Sequence, residues 1–258
     1  MITGPRIVDD LTNLVLDTKA IVIVHCSLSS LGRVIGGEQT VLLALRRAVG
    51  SAGTIVVPAQ SWQLCDPAYL NDPAVPPESW DQIRSSLPSY DPHGTPSRGM
   101  GLLAEAVRTH PDSIRSGHPH RSFAGWGPAA THVMARHRLD DPVGEGSPLK
   151  ALYDLGAVVL LLGVDYSKCT ALHLAESRGG AEVERVANGA PMRVGGQRQW
   201  VEFTEPLVDD SDFAEVGRAF EAVCPEVVQI GRVGLAKSRL VPMGALVDFS
   251  ADWMAHNR

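Results

Sequence analysis

Two apolar runs on either side of a helical pattern most constrain the fold of this chain. The run "AIVIVHCS" at 20–27 predicts a buried strand, and "GTIVVPA" at 53–59 predicts a second strand. Between them, "EQTVLLALRRAVG" has apolar residues at helical spacing and ends with Gly50, which is typical of the position just after a helix. This order predicts an α/β fold with a central mixed sheet flanked by helices.

The rest of the chain continues the alternation. A third apolar run at 157–163 predicts another strand. Helices are predicted for "TPSRGMGLLAEAVRTHP", with a Thr-Pro start, for "ATHVMARHR", for "GEGSPLKALYDLG", with a Ser-Pro start, and for "FAEVGRAFEAV". The stretch "SGHPHRSFAGWG" predicts a loop, and "RLVPMGALVDFSADWMAH" predicts a strand or turn followed by a closing helix.

Two segments depart from this pattern and predict a smaller lobe or lid. From 60 to 96 the periodicity dissolves into a proline-rich stretch, and a loop of this length inside a compact domain is often functional. At 199–205, "QWVEFTE" alternates apolar and polar residues, which predicts a strand of a smaller lobe. The length of 258 residues fits one large domain or two small ones.

Composition excludes several classes of function. The net charge of −6, without clustered Lys and Arg, argues against a nucleic-acid partner and permits a cationic ligand. No apolar run approaches the roughly 20 residues that span a bilayer, and the first residues lack the pattern of a secretory signal. Four scattered cysteines without a CxxC pair are typical of a reduced, cytoplasmic protein.

The stretch "CTALHLAES" carries the most informative pair of polar residues. His173 and Glu176 are three positions apart at the start of a predicted helix, so both lie on one face. Thr170 or Ser167 is expected to cap this helix. A helix N-terminus disfavours imidazolium, and a carboxylate can fix the tautomer, so the pair fits a general base with its orienting acid.

Other readings of this pair stay open at this point. A buried histidine paired with a carboxylate for packing is equally compatible with the residues. A metal site would need three or four ligands, and HxxE supplies two, so no metal is expected. Cys169 and His173 would together form a nucleophile pair, but a buried cysteine is more often a small apolar residue.

Two loops at strand or helix ends fit phosphate or backbone-mediated binding. "HCSLSSLGRVIGG" has small residues between a strand and a helix, although it matches neither a Walker sequence nor GxGxxG. "TPSRGMG" offers Thr95, Ser97 and Arg98, and an arginine suits bidentate contact with phosphate. No GxSxG elbow occurs, which argues against an α/β-hydrolase.

In the order of the chain, seven stretches resemble the aminoglycoside 3-N-acetyltransferases of the antibiotic acetyltransferase family. They are "VHCSLSSLG", "DPAYLNDPAVPPESW", "YDPHGTPSRGMGLLAEAVRTHP", "RSGHPHRSFAGWG", "GEGSPLKALYDLGAVVLLLGV", "TALHLAE" and "GRVGLAKSRL". They span roughly residues 20–240. One departure is Gly125, where the family often has alanine.

The resemblance implies a single domain over 1–258, with substrate-binding lobe segments at about 60–96 and 180–212, and a fold distinct from the common small acetyltransferase (GNAT) superfamily. It implies acetyl transfer from acetyl-CoA to the 3-amino group of a 2-deoxystreptamine aminoglycoside, conferring antibiotic resistance. Direct attack in a ternary complex, with His173 as general base beside Glu176, needs no protein nucleophile.

The resemblance also implies which residues bind the two substrates. For acetyl-CoA they are Ser27, Leu28, Ser29, Ser30, Leu31, Gly32, Ser97, Arg98, Ser122 and Phe123. For the polycationic drug, carboxylates are expected from Asp66 first and then Asp72 and Glu205, with Trp62 and Tyr69 packing on the sugar rings. His25 and His120 flank these loops as either site or structural residues.

Alternatives to this function remain at the level of sequence. One is an acetyl-CoA-dependent N-acetyltransferase with a different amine metabolite as acceptor. Another is a non-catalytic protein that binds acyl-CoA or polyamines. A homodimer is compatible with the sequence.

Overall fold

The computed structural model describes residues 1–179 and 183–258 of the chain. The helices are α1 (Gly4–Asn13), α2 (Gly37–Val49), α3 (Pro67–Leu70), α4 (Trp80–Ser86), α5 (Leu102–Arg108), α6 (Ala130–Met134), α7 (Pro148–Asp154), α8 (Leu172–Arg178), α9 (Phe213–Val223) and α10 (Met243–Asn257). The strands are β1 (Ile21–Cys26), β2 (Thr54–Pro58), β3 (Ser113–Arg115), β4 (Phe123–Trp126), β5 (Val158–Leu162), β6 (Arg185–Val194), β7 (Gln197–Pro206), β8 (Gln229–Val233) and β9 (Ala236–Pro242).

A seven-stranded mixed sheet in the order β3-β4-β2-β1-β5-β9-β8 forms the centre. β1 runs parallel to β2 and β5, whereas β4 pairs antiparallel with β2 and β9 pairs antiparallel with β5. The chain leaves β1 towards β2 and later returns to its other side as β5. The carboxyl end of β1 is therefore a point where the strand order reverses, and ligands of open α/β sheets bind at such points.

Helices cover both faces of this sheet, which explains why its central strands are apolar throughout. In β1, Val22 and Val24 pack with α1, α2 and α5 on one face, and Ile23 packs on the other face among α6 to α10. Because side chains alternate along a strand, His25 shares the face of Ile23, where α8 lies. The predicted α/β fold is confirmed.

The lobe segments meet each other away from the centre. β6 and β7 form a separate two-stranded antiparallel sheet. The 60–96 segment contacts it through the amide of Tyr90, which donates to the Pro191 carbonyl, and through Arg198, which donates to the Leu87 carbonyl. The strand predicted at 199–205 lies within β7. Residues 180–182 of the predicted lobe segment 180–212 lie outside the described part of the chain.

Several local predictions were wrong, and each error has a physical reason. "SGHPHRSFAGWG" contains β4, which is buried because it pairs with β2. The helix predicted from Thr95 begins at Leu102 instead, since Gly99 and Gly101 have φ values of 75° and 84° that break a helix. Neither Thr170 nor Ser167 caps α8, whose N-cap is Ala171 without a side-chain hydrogen bond.

Other local predictions hold. Gly50 follows α2 with φ of 67° and ends it. Ser147 caps α7, because its hydroxyl accepts a hydrogen bond from the Leu149 amide at 3.2 Å and Pro148 occupies the first turn. The closing helix is α10, and the strand that precedes it is β9.

Candidate active site

A cavity of about 660 Å³ opens at the carboxyl ends of β1 and β2, beside the turn that follows β5. β1 contributes His25, and the connection from β5 to α8 contributes Lys168 and Thr170. α8 contributes His173, and Phe213 of α9 closes this side. The topology explains the position, since β1 is the strand at which the sheet order reverses.

His173 and Glu176 form a hydrogen-bonded pair at this cavity. Nδ1 of His173 donates to Oε2 of Glu176 at 2.9 Å, because an ionised carboxylate can only accept. In the neutral ring this contact fixes the tautomer and leaves Nε2 with a free lone pair. The side chain of His173 is 12% exposed and packs on Phe213, with ring centroids 4.8 Å apart. The ring is therefore held in place but is not sealed from the cavity.

Further donors hold Glu176 as a carboxylate. Its Oε1 accepts from the amide of Asp209 at 2.8 Å and from Nη1 of Arg258 at 2.7 Å. Burial by itself raises the pKa of Glu176, but the hydrogen bond and charge of His173, with the donors from Asp209 and Arg258, bring that pKa below its ordinary value. The carboxylate thus stays ionised beside the imidazole.

His25 is a second imidazole at the same cavity. Burial, and then repulsion from His173, lowers the pKa of His25 to about 4, so the ring is neutral at physiological pH. Its Nε2 has no hydrogen-bond partner among the described residues. His25 belongs to the cavity, whereas His120 is fully buried and bonds the Leu64 carbonyl and Asn188.

Cys169 also lines the cavity but is 1% exposed. Burial raises the pKa of its thiol to about 12. A thiolate is the nucleophilic form of cysteine, so this environment opposes a Cys169 nucleophile.

The structure distributes the predicted acetyl-CoA residues unevenly. Ser27 lines the cavity, and Ser30 donates to its hydroxyl at 2.8 Å. Leu31 is fully buried in the core below this loop. Ser122 and Phe123 are also fully buried, at the start of β4, which lies between β2 and β3.

The remaining predicted acetyl-CoA residues lie outside the cavity lining. The hydroxyl of Ser97 donates to Glu105 at 2.6 Å, and the exposed Arg98 donates its amide to the Gln60 carbonyl. Three others belong to the turn at 28–31 and its end: Leu28, Ser29 and Gly32. Gly32 has φ of 88°, which suits its turn role.

The predicted drug-binding residues separate into two groups. Trp62 and Tyr69 line the cavity together with His173. Asp66 instead caps α3 and accepts two hydrogen bonds from Arg84, at 2.9 and 3.0 Å.

The other two predicted carboxylates also lie apart from the cavity lining. Glu205 is fully buried, and Nε of Arg121 donates to it at 2.8 Å. Asp72 is exposed, and its side chain accepts from the Ala74 amide.

A second groove of about 740 Å³ adjoins the cavity and shares Ser27 and Lys168 with it. Lys237 and Arg239 of β9 line its far side. Arg239 is paired with Glu221, whereas Lys168 and Lys237 are exposed amines with no ion-pair partner in the described part of the chain. Asp165 also lines the groove, so three basic side chains face it against one carboxylate, together with serine hydroxyls, beside the cavity that holds His173.

Sequence reasoning missed four polar residues that line the cavity. They are Gln60, Arg121, Lys168 and Asp210. Lys168 follows the end of β5, and Gln60 follows β2, so position after a strand end is the signal that finds them. Arg121 and Asp210 reach the cavity through long-range packing, for which the sequence carries no local signal. Within residues 1–179 and 183–258, no group of three or more His, Cys, Asp or Glu is arranged to hold a metal ion.

Comparison with known proteins identifies the family. Residues 23–255 match the aminoglycoside 3-N-acetyltransferase family. The chain belongs to this family. One relative is the SPbeta prophage-derived aminoglycoside N(3')-acetyltransferase-like protein YokD of Bacillus subtilis (strain 168). It is 42% identical over 99% of this chain and 93% of the relative. Its crystal structure superposes with a TM-score of 0.95, covering 99% of this chain and 94% of the other.

Two further relatives connect the chain to acyl transfer. Aminoglycoside N(3)-acetyltransferase VIII of Streptomyces fradiae is 38% identical over 98% of this chain and 92% of that enzyme. The structure of AAC-IIIb with CoASH has a TM-score of 0.85 and 31% identity, covering 98% of this chain and 96% of the other. The family is one of acyltransferases that use acetyl-CoA, and its fold differs from the small GNAT fold. None of the helices among the described residues is long and apolar enough to cross a membrane.

Proposed function

We propose that this chain transfers the acetyl group of acetyl-CoA to the 3-amino group of a 2-deoxystreptamine aminoglycoside, with His173 as general base. The supporting observation is the 2.9 Å contact between His173 and Glu176 at the edge of the cavity. The names of the relatives supply the substrate class. In this proposal the chain confers resistance by modifying the drug.

The reaction follows from the fixed tautomer. The neutral amine attacks the thioester carbonyl carbon, and Nε2 of His173 takes a proton from the nitrogen as the C–N bond forms. Glu176 stabilises the imidazolium through Nδ1. When the tetrahedral intermediate collapses, the C–S bond breaks and the imidazolium returns the proton to the CoA thiolate. The products are the amide and CoA thiol, and His173 is neutral again.

The contributions differ in size. General-base help of this kind contributes ~10²–10⁴-fold in rate. Holding the amine and the thioester together contributes more, up to ~7–11 kcal/mol for ideal orientation. No protein nucleophile takes part, in keeping with the raised pKa of Cys169.

The second groove is the proposed site for the phosphates of acetyl-CoA. Lys168 and Lys237 supply positive charge there, and Ser27 connects the groove to the cavity that holds His173. The amide of Ser27 donates to the Leu162 carbonyl at 2.9 Å, so only its hydroxyl is left for the ligand. In this arrangement the thioester end passes Ser27 and reaches the imidazole.

The acceptor occupies the opposite part of the cavity in this proposal. Trp62 and Tyr69 offer ring faces for the sugars, and Asp210 offers a carboxylate for an ammonium group. Residues 1–258 act as one domain, with the segments 60–96 and 180–212 forming the acceptor-binding lobe. Asp66, Asp72 and Glu205 keep their ion-pair and capping roles and serve the drug only through the shape of that lobe.

Thiol release from acetyl-CoA tests this function. Wild-type protein and His173→Ala are assayed with gentamicin-like, kanamycin-like and apramycin-like drugs, and we expect the variant to lose at least ~10²-fold in kcat. His132→Ala is the matched control, because His132 is an exposed histidine on α6. A rate for His173→Ala near that of the wild type would contradict His173 as the general base. If other amines are acetylated and these drugs are not, the acceptor belongs to a different class of amine.

A further inference from the structure

One wall of the cavity presents several hydrogen-bond donors, and we call it the donor wall. It is formed by Gln60, Trp62, Tyr69 and Arg121. Arg121 lies at its centre, with a side chain that is 3% exposed. Its Nε donates to Glu205 at 2.8 Å, and its Nη2 donates to the hydroxyl of Tyr69 at 2.8 Å. Its guanidinium also lies over the ring of Trp62, 4.7 Å from the centroid. The arginine is therefore fixed on three sides.

The remaining polar atoms of Arg121 and Tyr69 are donors. Nη1 of Arg121 has no hydrogen-bond partner in the described part of the chain, although the residue lines the cavity. The hydroxyl of Tyr69 accepts from Arg121, so its own hydrogen is free to donate. Burial raises the pKa of Tyr69, which keeps that hydrogen in place.

Gln60 adds a third free donor. The indole nitrogen of Trp62 can only donate, and it lies 2.9 Å from the side-chain oxygen of Gln60. This contact assigns the orientation of the amide, because the opposite orientation would bring two donors together. The NH₂ group of Gln60 is then left for the cavity.

The charge of the donor wall favours neutral oxygen over an anion. Glu205 is fully buried and is bound both by Arg121 and by Asn188, whose Nδ2 donates to it at 2.6 Å. The ion pair of Arg121 and Glu205 is neutral as a unit, so the wall presents hydrogen-bond donors without a net positive charge. An ammonium placed against Nη1 of Arg121, the hydroxyl hydrogen of Tyr69 or the amide NH₂ of Gln60 would meet a donor, whereas a hydroxyl or ether oxygen there would accept from it.

We propose that Arg121 is a specificity-determining residue, which binds a hydroxyl-bearing face of the aminoglycoside through Nη1 and disfavours an ammonium at that position. The proposal rests on the proposed function of the cavity. It divides the acceptor site in two. The reacting amine faces His173 and an ammonium group faces Asp210, whereas hydroxyl groups face Gln60, Tyr69 and Arg121.

Matched aminoglycosides that differ by one hydroxyl or one amino group test this assignment. Paromomycin and neomycin form one such pair, and kanamycin A and kanamycin B form another. We expect the hydroxyl member of at least one pair to have a kcat/KM at least ~10-fold higher with the wild-type protein. A wild-type enzyme that treats both members of both pairs alike, or prefers the ammonium members, overturns the inference while the proposed function stands.

Two variants assign the preference to the donor wall. Tyr69→Phe removes one donor without a charge change. The double variant Arg121→Gln with Glu205→Gln removes both charges at once, so no buried charge is left unpaired. We expect the ratio between the members of the pair to fall below ~3 in the double variant and to an intermediate value in Tyr69→Phe.

The control variant and the remaining outcomes distinguish this inference from the proposed function on which it rests. Arg138→Gln changes an exposed arginine in the same way and should keep the wild-type ratio. Because the ratio compares two substrates on one protein, a general loss of stability does not change it. An unchanged ratio in the double variant refutes the role of Arg121. If no amine leads to thiol release from acetyl-CoA, the proposed function is wrong, and the inference is wrong with it.

Discussion

Nη1 of Arg258 donates to Oε1 of Glu176 across 2.7 Å, although 82 residues separate them in the sequence. The other oxygen of Glu176 holds His173. The carboxylate is thus fixed from both sides, and Arg258, which follows α10, shares Oε1 with the amide of Asp209. An arginine at this position stabilises the ionised form of the acid that the proposed mechanism requires.

Glu176→Gln tests the orienting role of the carboxylate. The amide keeps the shape but loses the charge that stabilises the imidazolium, and it can present a donor to Nδ1. We expect kcat to fall by ~10²–10⁴-fold with little change in the KM for acetyl-CoA. Arg258→Gln should cause a much smaller loss, because the carboxylate and its contact with His173 remain. Steady-state thiol release measures both, with Glu202→Gln as an exposed control; equal rates for Glu176→Gln and wild type would contradict the proposed pair.

Cys169→Ala separates direct transfer from a covalent route. The thiol is buried, and its pKa is raised to about 12, so it supplies little thiolate at neutral pH. We expect the variant to keep kcat within ~3-fold of wild type. Incubation with acetyl-CoA in the absence of acceptor should leave the mass of the wild-type protein unchanged. An added acetyl group that disappears in the variant would show that a covalent intermediate forms.

Lys168→Gln combined with Lys237→Gln tests the phosphate groove. Both amines are exposed at the groove, and an exposed charge pair of this kind is worth up to about 1 kcal/mol. We expect the KM for acetyl-CoA to rise by ~10-fold or more, with kcat nearly retained. An acetylated pantetheine that lacks the nucleotide phosphates should react equally well with both proteins. If the double variant loses equally with acetyl-CoA and with the acetylated pantetheine, the phosphates bind elsewhere.

Histidines buried in the neutral form predict a loss of stability in acid. Burial lowers the pKa of His120 and of His137 to about 3, whereas an unfolded chain has a value near 6.5. Between these values the unfolded state binds more protons than the folded state, so stability falls as pH drops below ~6.5. At pH 5 each histidine costs on the order of 2 kcal/mol relative to pH 8.

Urea unfolding at pH 8, 6 and 5 measures this effect. The free energy of unfolding should fall steadily over the series, and His120→Gln should flatten the fall, because glutamine does not titrate. His132→Gln, which replaces an exposed histidine, should leave the slope unchanged. A free energy of unfolding that stays constant down to pH 5 would show that these rings are not held neutral.

Local patterns in the sequence predicted the parts of the molecule that depend on near neighbours. Periodicity identified β1, β2 and β5, since a strand covered on both sides reads directly as an apolar run. It also identified α2, whose apolar residues recur at helical spacing on one buried face. The pairing of His173 with Glu176 was predictable for the same reason. Residues three apart on a helix meet whatever surrounds the helix.

Long-range packing decided the rest, because burial and ion-pair partners depend on residues that are distant in sequence. Ser122 and Phe123 looked available to a ligand, yet pairing between β4 and β2 buries both. Asp66 and Glu205 looked like free carboxylates, but Arg84 and Arg121 bind them from 18 and 84 residues away. The sequence by itself determined the α/β fold and the imidazole–carboxylate pair. Only the tertiary structure decided which charged groups face the cavity, since a carboxylate is open to a ligand only where no arginine of the same chain reaches it first.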